Sequence, residues 1–249
     1  MSTFFPPEIS LLLATFLVLF SFFTSAVSAT FGLGGGVAML VGLLMVVPPA
    51  VALPLHGVIQ VGSNTSRAVL MRANIMRPVL YWFIPGTLVG VVIASLIFTS
   101  LPLEALQLIL ALFILWSVWA PKPKARRPIA DRHYLAVGAF GSFTTMFLGA
   151  TGPFLAAFLS PDRYGKERTV ATHAACMTLQ HLVKVIAFGL LAFAYLEWVP
   201  LLVLMLLAGV VGSWSGKALL NRMPEEQFKR WFKLMLTVLA LRLLYTALT

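Results

Sequence analysis

From Ile9 to Ser66 the chain carries no charged residue, and that run decides the solvent in which it folds. About 20 apolar residues in helix cross a bilayer, so the run holds more than one membrane element. With 60% of its residues apolar, 10% charged and a mean hydropathy of +0.95, the chain exceeds what the core of a soluble domain needs. A cleaved signal peptide competes for the start, because Ser25-Ala26-Val27-Ser28-Ala29 follows an apolar segment. It fails, since no Lys or Arg precedes that segment and the hydrophobicity continues past the small residues. The single Cys176 excludes an internal disulfide. The expected fold class is all-α, a polytopic membrane protein.

Apolar segments bounded by charge, Pro and Gly fall at about 51–70, 79–98, 103–119, 169–193, 199–219 and 225–248, and each is long enough to cross the bilayer. The Lys and Arg residues gather in alternate connections. Arg67, Arg72 and Arg77 flank the first; Lys122, Lys124, Arg126, Arg127 and Arg132 fill the second. Arg163, Lys166 and Arg168 mark the third, and Lys217, Arg222, Lys229, Arg230 and Lys233 the fourth. The connections at 99–102 and 194–198 have none and adjoin Glu104 and Glu197. This asymmetry places the basic connections in the cytoplasm, so both termini are expected on the opposite, periplasmic side. The expected location is a bacterial inner membrane. The net charge of +10 is thereby assigned to the membrane surface, and no nucleic-acid partner is implied.

Two stretches, Ile9 to Val47 and His133 to Ser160, must leave and return on one side. The second is too short for two crossings and reads as a re-entrant helical hairpin; the first could be a hairpin or two spans. Each is interrupted by glycine, at Gly32-Leu33-Gly34-Gly35-Gly36 and at Gly149-Ala150-Thr151-Gly152-Pro153. Glycine in a membrane helix is often a packing residue, but four in five residues read as an unwound break. The chain also aligns on itself. Gly32 meets Gly149 and Gly35 meets Gly152 at an offset of 117, Gln60 meets Gln180 and Asn64 meets Lys184 at 120, and Gly90 meets Gly212, Pro102 meets Pro224 and Glu104 meets Glu226 at 122. The expected architecture is two repeats, 1–120 and 133–249, joined by a basic cytoplasmic linker at 121–132. Each repeat is a broken hairpin plus three transmembrane helices. Three is odd, so the second copy is inverted, as in secondary transporters.

These residues resemble a known family. The Phe31-Gly32-Leu33-Gly34-Gly35-Gly36 opening, the Arg-containing Met71 to Arg77 loop, the helix with Gly86 and Gly90, and a second half with its own glycine break are together similar to the sulfite exporter TauE/SafE family. The resemblance covers essentially the whole chain and implies transport of sulfite and related sulfur-containing anions such as small sulfonates. The second break departs from the pattern, because family members often repeat the glycine triplet there.

Asp and Glu are absent from the interior of every expected span and occur only at span ends, at Glu104, Glu225 and Glu226, which disfavours a cation transporter and a metal site. The buried ionisable groups are Lys184, His56 and His181, with Arg242 nearer the end of the last span. An ammonium in the bilayer calls for a partner or a water-filled cavity, and an anionic substrate is one such partner; snorkelling to the interface is the alternative. Gln180 and Lys184 share a helix face, as do Gln60 and Asn64. Either pair could instead be interhelical hydrogen-bond glue, and His56 and His181 are more often packing residues than proton carriers. Ser142, Thr144 and Thr145 are expected to bond back to their own helix.

The candidate substrate-binding set is Gly34, Gly35, Gly36, Gln60, Asn64, Thr151, Gly152, Gln180, His181 and Lys184. It is expected near the midplane between the two broken hairpins, where restarting helices would present free N–H groups to an oxyanion. No cofactor or metal ligand set is indicated. The partners are a small anion and the lipid bilayer, and oligomerisation stays open. A channel is the competing function; an intramembrane enzyme is the weakest, for want of a buried Asp pair, an acidic metal cluster or a nucleophile motif.

Overall fold

A computed structural model of the 249-residue chain describes residues 5–6, 9–31, 34–119, 129–149, 151–159 and 164–220, together with 233–234, 237–238, 240–241, 244–245 and 248. Every regular element among them is a helix. Helix α1 (Leu11–Phe31) runs to the first glycine break, and α2 (Gly35–Leu44) starts beyond it. Helix α3 (Pro49–Leu70) and a 3-10 turn (Arg72–Asn74) lead to α4 (Arg77–Phe98) and α5 (Leu103–Trp119). A second 3-10 turn (Asp131–His133) opens α6 (Tyr134–Leu148); then come the short α7 (Gly152–Ala156), α8 (Lys166–Leu190) and α9 (Tyr195–Leu220). Gly32, Leu33, Ala150, the linker residues 121–128, Arg163, Arg222, Lys229, Arg230, Arg242 and most of the expected span at 225–248 lie outside the described residues.

Local chemistry sets these boundaries. Pro49 opens α3 and Pro78 lies in the first turn of α4, where a missing N–H costs no helical bond. Glu104, Glu167 and Glu197 occupy the first turns of α5, α8 and α9, where the helix dipole favours an anion. At the two breaks the backbone turns left-handed, with φ of 102° at Gly34 and 72° at Gly149. A Cβ would clash in that conformation, so both breaks depend on glycine.

Four helical segments are long and apolar enough to cross a membrane: Leu11–Ala29, Arg77–Phe98, Glu167–Leu190 and Tyr195–Ser215. The chain is thus a multi-pass membrane protein, and exposed apolar side chains such as Leu12, Leu19, Leu96, Leu190 and Trp214 suit a lipid surround. Two expectations change. The segment 51–70 forms a 22-residue helix, but Gln60, Asn64 and Arg67 leave α3 too polar to stand with those four. The first broken hairpin is unequal: α1 has 21 residues, enough to cross, whereas α2 has 10. Helix α5, at 17 residues, is a shorter apolar helix.

The residues divide into two compact units, Met1–Ile59 with Pro102–Ala120 and Phe193–Thr249, and Gln60–Leu101 with Pro121–Ala192; the division falls inside α3. In the first unit α1 packs along α9. Gly212 lies on the Phe22 carbonyl with no room for a Cβ, Gly209 faces the Ser21 and Ser25 hydroxyls, and Ser21 Oγ donates to the Met205 carbonyl at 2.7 Å. Leu17, Met39, Leu43, Leu55, Leu201 and Met205 fill the core beneath. In the second unit α4 packs along α6. Gly86 and Gly90 abut the Leu135 and Ala139 carbonyls, and a Cβ on Gly138 would come within 2.6 Å of the Phe83 carbonyl. Small residues let the backbones approach where lipid supplies no hydrophobic drive. Phe83, Tyr134, Leu155, Cys176 and Met177 form that unit's core. Each unit therefore pairs the leading helix of one sequence half with the glycine-bearing span of the other.

Candidate functional site

The first break belongs to the first unit. Gly34 caps α2, and the earliest helical bond from that cap is Ala38 N–H to the Gly34 carbonyl at 3.0 Å. Gly35 is seated against the Thr24 carbonyl and the Ser28 hydroxyl of α1, so closely that any side chain would displace α2. The fully buried His56 of α3 lies with Nε2 2.9 Å from the Gly36 carbonyl. A carbonyl only accepts, so the proton sits on Nε2. Gly34, Gly35 and Gly36 thus form a tight turn pinned by one imidazole.

The second break belongs to the second unit and repeats this plan with different surroundings. His173 of α8 places Nε2 3.0 Å from the Gly152 carbonyl, the counterpart of the His56 contact. Gln180, buried, donates from Nε2 to the Gly141 carbonyl of α6 at 2.6 Å and to the Thr151 hydroxyl at 2.8 Å. One turn on, Lys184 is fully buried; its Nζ donates to the Thr145 carbonyl at 3.2 Å and lies 5.8 Å from the centre of the Phe188 ring. That carbonyl is in the last turn of α6, so the ammonium sits at the negative end of a broken helix. No carboxylate among the described residues pairs with it, and the described acids Glu104, Asp131, Glu167 and Glu197 all stand in first turns of helices. His181 is buried on the same helix.

Gln60 and Asn64, also in the second unit, bond mainly to each other. Asn64 Nδ2 donates to the Gln60 carbonyl at 2.8 Å and to Gln60 Oε1 at 3.2 Å, while Arg67 Nη2 donates to Asn64 Oδ1 at 2.8 Å. The ladder Gln60, Asn64, Arg67 runs up one side of α3.

Of the expected residues, Thr151, Gly152, Gln180 and Lys184 gather at the second break, Gln60 and Asn64 form their own ladder, and Gly34, Gly35 and Gly36 make the first break. Glycine is sterically demanded at Gly35 but not at Gly152, where a Cβ would sit 3.7 Å from His173 in ordinary contact. The second restart, α7, has only five residues and too few aligned peptides for a full helix dipole. Ser142 bonds across to Thr87 Oγ1 at 3.1 Å instead of back to its own helix, and Thr145 Oγ1 reaches forward to the Gly149 carbonyl at 3.3 Å. Thr144 does bond back, to the Phe140 carbonyl at 2.8 Å. Sequence reasoning missed His173, although its distance from His56 equals that from Gly35 to Gly152. It also read Arg67 only as a charge flanking the first basic connection and did not pair it with Asn64.

Helices broken by glycine, exposed apolar faces and a buried Lys184 with no carboxylate beside it among the described residues define a multi-pass membrane protein whose described elements are all helical. The profile of the family described as sulfite exporter TauE/SafE matches residues 17–243, nearly the whole chain, and the chain belongs to that family of membrane transporters. No curated protein and no solved structure matches the chain.

Proposed function

We propose that this protein is a secondary transporter that moves sulfite or a small sulfonate across a bacterial inner membrane by alternating access of two inverted repeats. The observation that carries this reading is Lys184, fully buried, held by a carbonyl and with no acidic partner among the described residues. Leaving a charge so placed costs about 2.5–3.5 kcal/mol on insertion scales. A transient oxyanion offsets that cost, whereas a permanent carboxylate would occupy the site. In the second unit the anion-holding set is Lys184, Gln180, Thr151, Gly152 and His181, with Gln60 and Asn64 on α3. In the first unit the backbone of Gly34, Gly35 and Gly36 is a second oxyanion-contacting surface.

The test is uptake and efflux of labelled sulfite, sulfate and small sulfonates in proteoliposomes, with and without a pH gradient. Saturable flux that trans substrate accelerates is expected. Flux linear in concentration, without trans acceleration, identifies a channel; no flux of any sulfur anion removes the proposal.

A further inference from the structure

The two halves share a finer register than the glycine breaks alone reveal. Helices α1 and α6 end at Phe31 and Leu148, α2 and α7 begin at Gly35 and Gly152, and α3 and α8 begin at Pro49 and Lys166. All three pairs stand at one offset, and so do His56 and His173, each gripping a carbonyl at its break. Helices α3 and α8 then run without interruption. A shift of three residues inside an unbroken helix would carry every later residue about 4.5 Å along the axis and away from its counterpart, so one offset is taken along both. It carries Arg67 onto Lys184 and Asn64 onto His181.

We propose that Arg67 is a second substrate-binding cation, the repeat counterpart of Lys184, and that the two hold the anion in turn at opposite membrane faces. This rests on the transport reading above. The surroundings of Arg67 suit the role. It is half-buried, and Asn64 Oδ1 holds its Nη2 at 2.8 Å, which orients the guanidinium while leaving further N–H donors for a ligand. Ala68, the next residue, packs against Ala174 and Ala175 of α8, directly after His173. Small residues there bring this turn of α3 close to the helix that pins the second break. Both cations belong to the second unit. Arg67 precedes the basic Arg72 to Arg77 connection, on the cytoplasmic side by the distribution of charge, whereas Lys184 precedes the connection at 194–198 that has no Lys or Arg. A planar guanidinium binds two oxygens of a sulfur oxyanion at once, and an ammonium offers a point charge. The two stations therefore differ in kind.

The experiment compares wild type, Arg67→Gln, Arg67→Lys and Lys184→Gln at matched expression, with labelled sulfite flux measured in right-side-out and inside-out vesicles. Arg67→Gln is expected to raise the apparent KM for substrate arriving from the cytoplasmic face by roughly 10- to 100-fold, with little change from the other face. Lys184→Gln should show the opposite sidedness. Arg67→Lys should recover only part of the loss, and because it keeps the charge and the helix it separates binding from misfolding. A transporting wild type in which Arg67→Gln leaves KM unchanged, or raises it equally from both faces, overturns this assignment alone. A wild type that moves no sulfur oxyanion overturns the transport reading and this assignment with it.

Discussion

Adding one methyl group at Gly35 tests whether the first break needs glycine for space. An ideal Cβ there overlaps the Thr24 carbonyl and the Ser28 hydroxyl of α1, and Ser28 N lies 3.1 Å away. Two of these three atoms are backbone and cannot rotate aside, so α2 must move off α1. Overpacking of this kind costs about 1–3 kcal/mol. For a chain of this size that is a fall in Tm of roughly 2–12 °C. Gly42, further along α2, is the first control: its Cβ would meet only the Phe20 ring, a side chain with a rotamer to change. Gly152 is the second, since its Cβ would find His173 at 3.7 Å. Gly35→Ala should therefore lose both thermal stability in detergent and most of its flux in proteoliposomes. Gly42→Ala should be milder, and Gly152→Ala should keep a Tm close to wild type. Gly35→Val should abolish transport while still inserting into the membrane. Wild-type Tm and flux in Gly35→Ala, or a fall in Tm at Gly152 equal to that at Gly35, would refute the reasoning.

Three further outcomes are expected. Lys184→Gln should insert and fold but weaken sulfite affinity by roughly 10- to 150-fold, the worth of one charge-assisted hydrogen bond of about 1.5–3 kcal/mol, as read by equilibrium binding; unchanged affinity would leave the ammonium with only its helix-capping contact. His173→Ala frees the Gly152 carbonyl and should cost about 1 kcal/mol of stability, with His56→Ala costing a similar amount at Gly36; a thermal scan in which neither variant shifts would remove the latch role. Impermeant thiol labelling of intact spheroplasts should mark a cysteine placed at Ser2 but not one at Ala125, against a background in which native Cys176 is buried; the reverse pattern would invert the topology.

The glycine breaks were readable because several glycines in an apolar run have few other uses, and Gly34 and Gly149 do carry the left-handed turns. The start of α4 was readable from Arg77-Pro78. The length of α3 was readable from its apolar residues, but the polar side made by Gln60, Asn64 and Arg67 was not, because it is a property of the face and not of the length. His173 lacked any local motif and shows itself only in the register of the two halves. The environment of Lys184 could not be read either, because the carbonyl it meets lies 39 positions earlier and is brought to it by folding. What a sequence states about a buried charge is that it needs company, and the identity of the company is tertiary.

The pairing of α1 with α9 also bears on how the chain is made. Helix α1 enters the membrane well before α9, yet the surface that covers Phe22, Ser21 and Ser25 belongs to α9. Roughly 160 residues separate the two, and at about 5–20 residues per second translation needs roughly 10–30 seconds to supply the partner. For that interval the hydroxyls of Ser21 and Ser25 stand without Met205 and Gly209. In the meantime they can bond back to carbonyls of their own helix, as Ser95 and Ser215 do, while the face of α1 that α9 will cover stays open to the insertion machinery. Stalling synthesis before Tyr195 should therefore leave a nascent chain whose α1 is open to crosslinking from the insertion machinery, and extending the chain past Leu220 should close it.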